Sequence, residues 1–251
     1  MITVLQPAIT LTCRKADTAS DIAACQTLRH ACFIGGAGLD ADRFDALSEH
    51  VMIEQGGVLV CTLRMRVLPE GADLADTYTG SFYRFGPMTG ATLEVGRFCV
   101  AENAFSTDVL RLAWVAITAW VDAHDIQHLF GCASFNGTDP APYADAFGLL
   151  QSAHVADMSI APQSIDIKLL NDVGDASFDR RRAMDQLPPL LRSYLGMGGY
   201  VSDHLIIDRT LGTQHVFTGL RIADIPVARA RSLRRLAQQT MGLHIAAAHN
   251  S

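Results

Sequence analysis

The chain lacks the marks of export and of membrane insertion. Met1 to Thr10 carries no basic stretch ahead of an apolar one, and no chargeless run approaches the ~20 residues that a bilayer-spanning helix needs. No C-x-x-C pair occurs: the six cysteines at 13, 25, 32, 61, 99 and 132 stand apart, mostly in apolar surroundings, as reduced buried thiols do. The expected location is therefore cytoplasmic. Basic residues are outnumbered, 20 against 26 acids for a net charge of −6, so the chain has no overall footprint for nucleic acid. The nine histidines form no H-E-x-x-H or H-x-x-E-H pattern, and no catalytic metal is expected. The serine in Gly131-Cys132-Ala133-Ser134-Phe135-Asn136-Gly137 is not spaced as a nucleophile elbow. Gly35-Gly36-Ala37-Gly38 follows a helical segment rather than a strand, which makes it a flexible turn and not a nucleotide loop.

What is present is a large apolar fraction. With 49% hydrophobic residues over 251 positions, the chain buries roughly three quarters of its unfolded surface as one large domain or two small ones. Asp17 to Phe33 reads as a helix capped by Thr18 or Ser20. After the acidic stretch Asp40 to Asp45, the runs His50 to Glu54 and Val58 to Leu68 flank Gln55-Gly56-Gly57, a hairpin signature, with Arg64 and Arg66 on one face of the second strand. Pro69 to Gly90 is irregular. Thr92 to Val100 reads as a buried strand, Ser106 or Thr107 caps a helix to about His124, and Leu129 to Phe135 reads as another strand. Asp139 and Pro140 then open a helix. Later come a helix over 187–197 begun by Pro188-Pro189, strands over 200–207 and 215–220, and a last helix over 225–247. That helix sets Arg229, Arg231, Arg234 and Arg235 beside Val227, Leu233, Leu236 and Met241. It suits either peripheral attachment to an anionic membrane surface or docking on its own domain. Helices and strands in this order predict an α/β or α+β fold, a central mixed sheet with helices on both faces.

Inside the apolar run T-L-E-V-G-R-F-C-V, Glu94 and Arg97 are charges at core-grade positions, which is costly unless they are paired or functional. They are candidates for chemistry, with a structural ion pair as the alternative. Four separated elements stand out together: Arg29-x-x-x-Phe33, Asp42-x-x-Asp45, Arg64, and Glu94-x-x-Arg97-Phe98.

In this order the four elements resemble the acyl-homoserine-lactone synthases and their relatives, acyltransferases of the GCN5-related N-acetyltransferase (GNAT) fold. The segment 93–100, the strand 131–135 with its Gly137-Thr138-Asp139-Pro140 turn, and Leu187-Pro188-Pro189-Leu190-Leu191 leading to Gly198-Gly199 look like the ornithine N-acyltransferases that make lyso-ornithine lipid. The resemblance covers nearly the whole chain. It implies a GNAT-like core over 1–180, with a C-terminal extension over 181–251 packed on it. It implies no bound cofactor. It also implies transfer of a 3-hydroxy fatty acyl group from phosphopantetheinyl acyl carrier protein, the partner protein, to the α-amine of an amino acid.

An α-amine is mostly protonated near neutral pH, so attack on a thioester needs a base, and Glu94 is the choice. Backbone N–H groups near Phe98 to Val100, Cys99 included, are candidate donors to the tetrahedral oxygen, because the equivalent strand of this fold is commonly bulged. Arg97 and Arg64 are candidates for the acceptor carboxylate or the pantetheine phosphate. Asp42 and Asp45 are candidates for a substrate ammonium, with Arg29 as their partner. Phe33 and Ser134 complete the substrate-binding set. Cys99 reads as core rather than as an acyl-accepting nucleophile. The stretch Ala101-Glu102-Asn103-Ala104-Phe105 has no glycine to cradle a diphosphate and carries an acid, which favours a donor with a single phosphodiester.

Two departures matter. Ornithine-type members tend to read G-D-G and N-T-T-D where this chain has Ser202-Asp203-His204 and Gly212-Thr213-Gln214-His215. The missing acid at His215 keeps glutamine open as acceptor beside ornithine. Lactone synthesis and a non-catalytic acyl-carrier-binding module are the remaining alternatives.

Overall fold

The computed structural model describes residues 11–157, 159–164 and 166–248, with the side chains of the last helix described through Gln239. In chain order the elements begin with β1 (Leu11–Lys15), α1 (Ala19–Phe33), β2 (Glu49–Gln55), β3 (Val58–Leu68), β4 (Tyr83–Phe85) and β5 (Ala91–Val100). They continue with α2 (Thr107–Ala123), β6 (Ile126–Asn136), α3 (Ala144–Ala153), β7 (Ile160–Pro162), β8 (Ile167–Leu169) and α4 (Leu170–Val173). The last third holds α5 (Arg180–Gln186), α6 (Pro189–Leu195), β9 (Tyr200–Asp208), β10 (Thr213–Arg221) and α7 (Val227–Ala248).

Two helix starts follow directly from sequence. The Thr18 hydroxyl accepts from the Asp21 amide while the Asp21 carboxylate accepts from the Thr18 amide, a reciprocal capping box that opens α1. The Ser106 hydroxyl accepts from the Val109 amide at 3.2 Å and opens α2. Asp139 does cap the segment after β6, accepting from the Ala141 amide, but a 3-10 turn over Ala141–Tyr143 precedes α3.

Eight strands form one sheet in the order β1-β2-β3-β5-β6-β10-β9-β8, in which β5 and β6 are the parallel pair. A parallel pair needs a crossover, and α2 supplies it. Residues 181–251, read from sequence as an extension packed on the core, contribute β9 and β10 to this same sheet. Strand alternation divides the central residues between two faces. Leu63, Met65, Leu93, Val95 and Leu129 face one side and pack with Ala113, Trp114, Ile117 and Val121 of α2 and with Tyr194 of α6. Arg64, Arg66 and Glu94 occupy the other side, with Arg66 directly opposite Glu94 in the β3–β5 ladder. α7 lies along α2: Leu233 joins the same core and Arg234 pairs with Asp122 at 2.9 Å. This is docking on the chain's own domain; Met241 lies outside the described side chains.

The feature that creates a site is the parting of β5 from β6. Their ladder runs only as far as Glu94 opposite Phe130, yet β5 continues to Val100 and β6 to Asn136. The cause is a bulge. Register with β3 jumps from Gly96 opposite Arg64 to Cys99 opposite Thr62, so Arg97 and Phe98 together face Leu63. Arg97 takes φ +52°, a left-handed conformation that costs a side-chain-bearing residue roughly 1–2 kcal/mol.

Gly131 marks the last close approach, since a Cβ there would lie 2.2 Å from the Val95 carbonyl oxygen. Gly131→Ala is therefore expected to lower the urea midpoint by the equivalent of ~1–3 kcal/mol, the usual cost of overpacking. A midpoint equal to that of the parent chain would show that the two strands are not held this tightly.

Candidate active site

A cavity of about 440 Å³ opens where β5 and β6 separate. Its wall draws on both faces of the sheet: Arg64, Tyr78, Thr79, Glu94, Cys132 and Ser134 from the polar side, and Val95, Phe135, Tyr143, Leu187, Leu191 and Tyr194 from the apolar side. Such a passage offers a polar chamber continuous with an apolar channel.

Glu94 is 6% exposed, and its Oε1 accepts from the backbone N–H of Thr79 at 2.7 Å. That single bond orients the carboxylate. The second oxygen has no hydrogen-bond partner among the described residues, leaving it able to accept a proton. Thr79 comes from a 3-10 turn over Thr79–Ser81, whose Gly80 is obligatory because a Cβ there would meet the Leu74 carbonyl oxygen at 2.1 Å.

Behind Glu94 stands an interlocked set of three arginines and three aspartates. Arg29, wholly buried on α1, binds Asp40 at 2.9 Å through Nε and Asp45 at 2.8 and 3.1 Å through its two terminal nitrogens, and it also donates to the Asp40 carbonyl. Arg64 reaches Asp42 at 2.6 Å and Asp45 at 2.7 Å through Nη1. Arg97 holds Asp40 at 2.8 Å and Asp42 at 3.2 Å. The ring of Tyr78 lies under the Arg97 guanidinium at 4.5 Å and near that of Arg64 at 5.6 Å, a favourable placement of cation over π-face. Burial alone would raise the Asp45 carboxyl; Arg29, with Arg64 and Gln26, outweighs it and holds that carboxyl well below the ordinary carboxylate range. Burial raises the Tyr78 phenol, so it stays protonated.

This arrangement corrects part of the sequence reading. Arg29, Asp42 and Asp45 do not lie on the cavity wall; Arg29 binds Asp45, and the two aspartates bind the wall residues Arg64 and Arg97, which leaves Asp42 and Asp45 without spare oxygens for a substrate ammonium. Opposite charges buried side by side satisfy each other before any ligand arrives. Phe33, Arg64, Glu94, Arg97, Phe98, Cys99, Val100 and Ser134 do line the cavity. Of the three wall arginines, Arg66 is held by Asp76 and Arg97 is taken up by Asp40 and Asp42. Arg64 keeps one nitrogen, Nη2, buried without a partner. Cys99 hydrogen-bonds Cys32, and this bond with burial pushes its thiol up, the state of an inert core cysteine.

Tyr78 and Thr79 were not legible in the sequence, and neither was Cys32. The first two sit in the irregular stretch before β5, and what Thr79 contributes is a backbone amide that every residue except proline carries. His215 lies off the cavity wall. It is buried against Tyr83, whose hydroxyl lies 3.0 Å from Nδ1, and burial followed by the nearby Arg97 and His204 lowers it to about 3. Among the described residues no helix is long and apolar enough to cross a membrane.

The chain is similar in sequence to known proteins. The acetyltransferase (GNAT) domain family matches residues 29–115, which hold Arg29, Arg64, Glu94 and Arg97. The L-ornithine N(alpha)-acyltransferase of Rhodobacter capsulatus is 32% identical over 224 residues, 81% of this chain and 86% of that protein. Its counterpart in Brucella abortus is 27% identical over 237 residues, 84% of each chain. Among solved structures, FeeM, an N-acyl amino acid synthase from uncultured soil microbes, aligns over 92% of this chain and 98% of its own, with 14% identity and a TM-score of 0.44. On the extent and identity of the Rhodobacter match, the chain belongs to the L-ornithine N(alpha)-acyltransferase family and is an acyltransferase built on the GNAT fold.

Proposed function

We propose that this enzyme moves a 3-hydroxy fatty acyl group from the phosphopantetheine of acyl carrier protein to the α-amine of L-ornithine. The observation that carries the reading is the passage between β5 and β6, with Glu94 on its polar side and an apolar wall beyond it. Its volume falls within the ~300–1,000 Å³ usual for small-molecule sites. L-ornithine is chosen as acceptor because the relatives in Rhodobacter capsulatus and Brucella abortus are L-ornithine N(alpha)-acyltransferases.

The amino acid enters on the polar side as an ammonium carboxylate. The unpartnered Nη2 of Arg64 takes its carboxylate, satisfying a buried donor that otherwise costs roughly 1–3 kcal/mol. The free oxygen of Glu94 removes a proton from the ammonium, directly or through water. The amine lone pair then attacks the thioester carbonyl carbon, and the C–O π electrons move onto oxygen, where backbone N–H groups of the bulged segment 98–100 stabilise them. Collapse re-forms the carbonyl and breaks the C–S bond, with the electron pair leaving on the pantetheine sulfur. The proton held by Glu94 and the second amine proton return to sulfur and solvent, giving an amide and a free thiol.

The carrier-protein donor rests on the loop between β5 and α2. Glu102 is exposed there, Asn103 takes φ +62°, and there is no glycine, so a diphosphate would meet side chains and like charge. Incubation with 3-hydroxyacyl carrier protein, or the matching coenzyme A thioester, and an equimolar set of amino acids tests the whole reading. Mass spectrometry is expected to find N-acylornithine, formed from the carrier donor in preference. An N-acylglutamine product, or equal use of the coenzyme A donor, would overturn the acceptor or the donor respectively.

A further inference from the structure

We infer that Cys32 and Cys99 form a thiol–disulfide pair on the cavity wall, open to oxidation by a low-molecular-weight disulfide such as oxidised glutathione. Its effect on acyl transfer rests on the function proposed above; the bond itself does not.

Cys32 is exposed at the end of α1 and Cys99 is buried on β5, yet both line the cavity and their side chains hydrogen-bond each other. The Cys32 thiol also donates to the Val100 carbonyl at 3.4 Å, which holds its sulfur against the strand. Ladder register explains why the partner is Cys99 and not Cys61. Cys99 stands opposite Thr62, whose side chain meets Cys25 of α1, whereas Cys61 packs into the core on the other face of the sheet. A disulfide forms only between side chains that point toward each other, and hydrogen-bonded thiols already do.

Reactivity divides between the two as thiol exchange requires. The bond from Cys99 lowers the Cys32 thiol against an opposing burial, so the sulfur that solvent reaches is also the readier to ionise. Elsewhere burial pushes Cys13 up to about 11 and raises Cys25, Cys61 and Cys132. Cys99 is raised first by its bond to Cys32 and then by burial. Once Cys32 enters a mixed disulfide it carries no negative charge, and the larger cause that keeps Cys99 protonated is gone.

The Cys32 thiolate attacks one sulfur of the small disulfide, whose S–S bond breaks with the electron pair leaving on the other sulfur, and that sulfur is protonated. Cys99 gives up its proton and attacks the Cys32 sulfur, breaking the mixed disulfide and expelling a second small thiolate, which is protonated in turn. The protein thiols lose two electrons and two protons, and one small disulfide becomes two thiols. Joining the sulfurs at about 2.05 Å draws the segment 98–100 toward α1. Those residues carry the backbone donors proposed for the tetrahedral oxygen, and a displacement of about 1 Å can cost on the order of a hundredfold in rate.

The test incubates the reduced full chain with oxidised glutathione, quenches in acid, alkylates free thiols and maps peptides by mass spectrometry. The expected product joins the peptides that hold Cys32 and Cys99, and dithiothreitol separates them. In the same samples, thiol release from the acyl donor is expected to fall by at least about tenfold and to recover on reduction. Cys32→Ser, compared with itself before and after treatment, is expected to lose nothing. Cys32 recovered only as a glutathione adduct, or joined to another cysteine, overturns the pair. A Cys32–Cys99 link with thiol release unchanged overturns its reach into the segment 98–100. The link formed in a protein that transfers no acyl group even when reduced upholds the pair and defeats the function proposed above.

Discussion

Replacing Glu94 by glutamine is expected to reduce the rate of thiol release from the acyl donor by roughly 10²–10⁴, the usual contribution of a positioned general base. The substitution keeps size and shape, and the amide oxygen still accepts from the Thr79 N–H, so the fold and the cavity persist. What disappears is an oxygen able to take a proton from the acceptor ammonium. The loss should therefore fall on kcat with little change in carrier-protein binding, and it should shrink at high pH, where more of the amine is already deprotonated. Stopped-time thiol assays across a pH series measure both. A variant with near-parental kcat at neutral pH would remove Glu94 from the chemistry and return it to the role of a buried partner of the Thr79 turn.

Removing Arg29 is expected to have the largest effect on stability. Its guanidinium is buried and touches Asp40 and Asp45, so Arg29→Ala leaves carboxylates in the interior facing a void, a change that typically costs about 3–5 kcal/mol. Lysine is not expected to rescue it, because one ammonium cannot bridge two carboxylates as the planar fork does. Urea denaturation reads the loss, and a shift under about 1 kcal/mol would show that the network is dispensable to the fold. The acid limb supplies an independent check with a definite sign. The Asp45 carboxyl is held below its ordinary range in the folded chain, so its contribution is fully present above the unfolded value of about 3.9 and is lost as pH falls through the lower folded value. The parent protein should accordingly lose this contribution progressively below about pH 4, and the variant, which lacks the Arg29 partner, should unfold at a higher pH than the parent.

Much of the architecture was legible. Caps at Thr18 and Ser106, the Gly56-Gly57 hairpin and the long apolar runs have local causes, and the structure places α1, α2, β2, β3, β5 and β6 where those causes put them. The strand β1 and the three-residue strands β4, β7 and β8 were not legible. A three-residue strand is too short to display a period of two, and it exists because a neighbouring strand offers it a ladder. The site shows the same division. Glu94 and Arg97 announced themselves as charges in an apolar strand, whereas Thr79 acts through its backbone amide and Tyr78 through a ring that becomes informative only once two guanidinium groups lie against it.

By itself the sequence determined that an acid and an arginine three residues apart occupy one central strand, that helices flank a mixed sheet, and that no glycine cradle follows that strand. Those properties depend on residue type and local spacing. The tertiary structure alone decided which charges face a ligand and which face one another. Asp42 and Asp45 are as acidic as Glu94 on paper, yet Arg29, Arg64 and Arg97 converge on them from three elements and use them up. Pairing of charges is settled by distance in space, and distance in space is the quantity that a linear sequence does not carry.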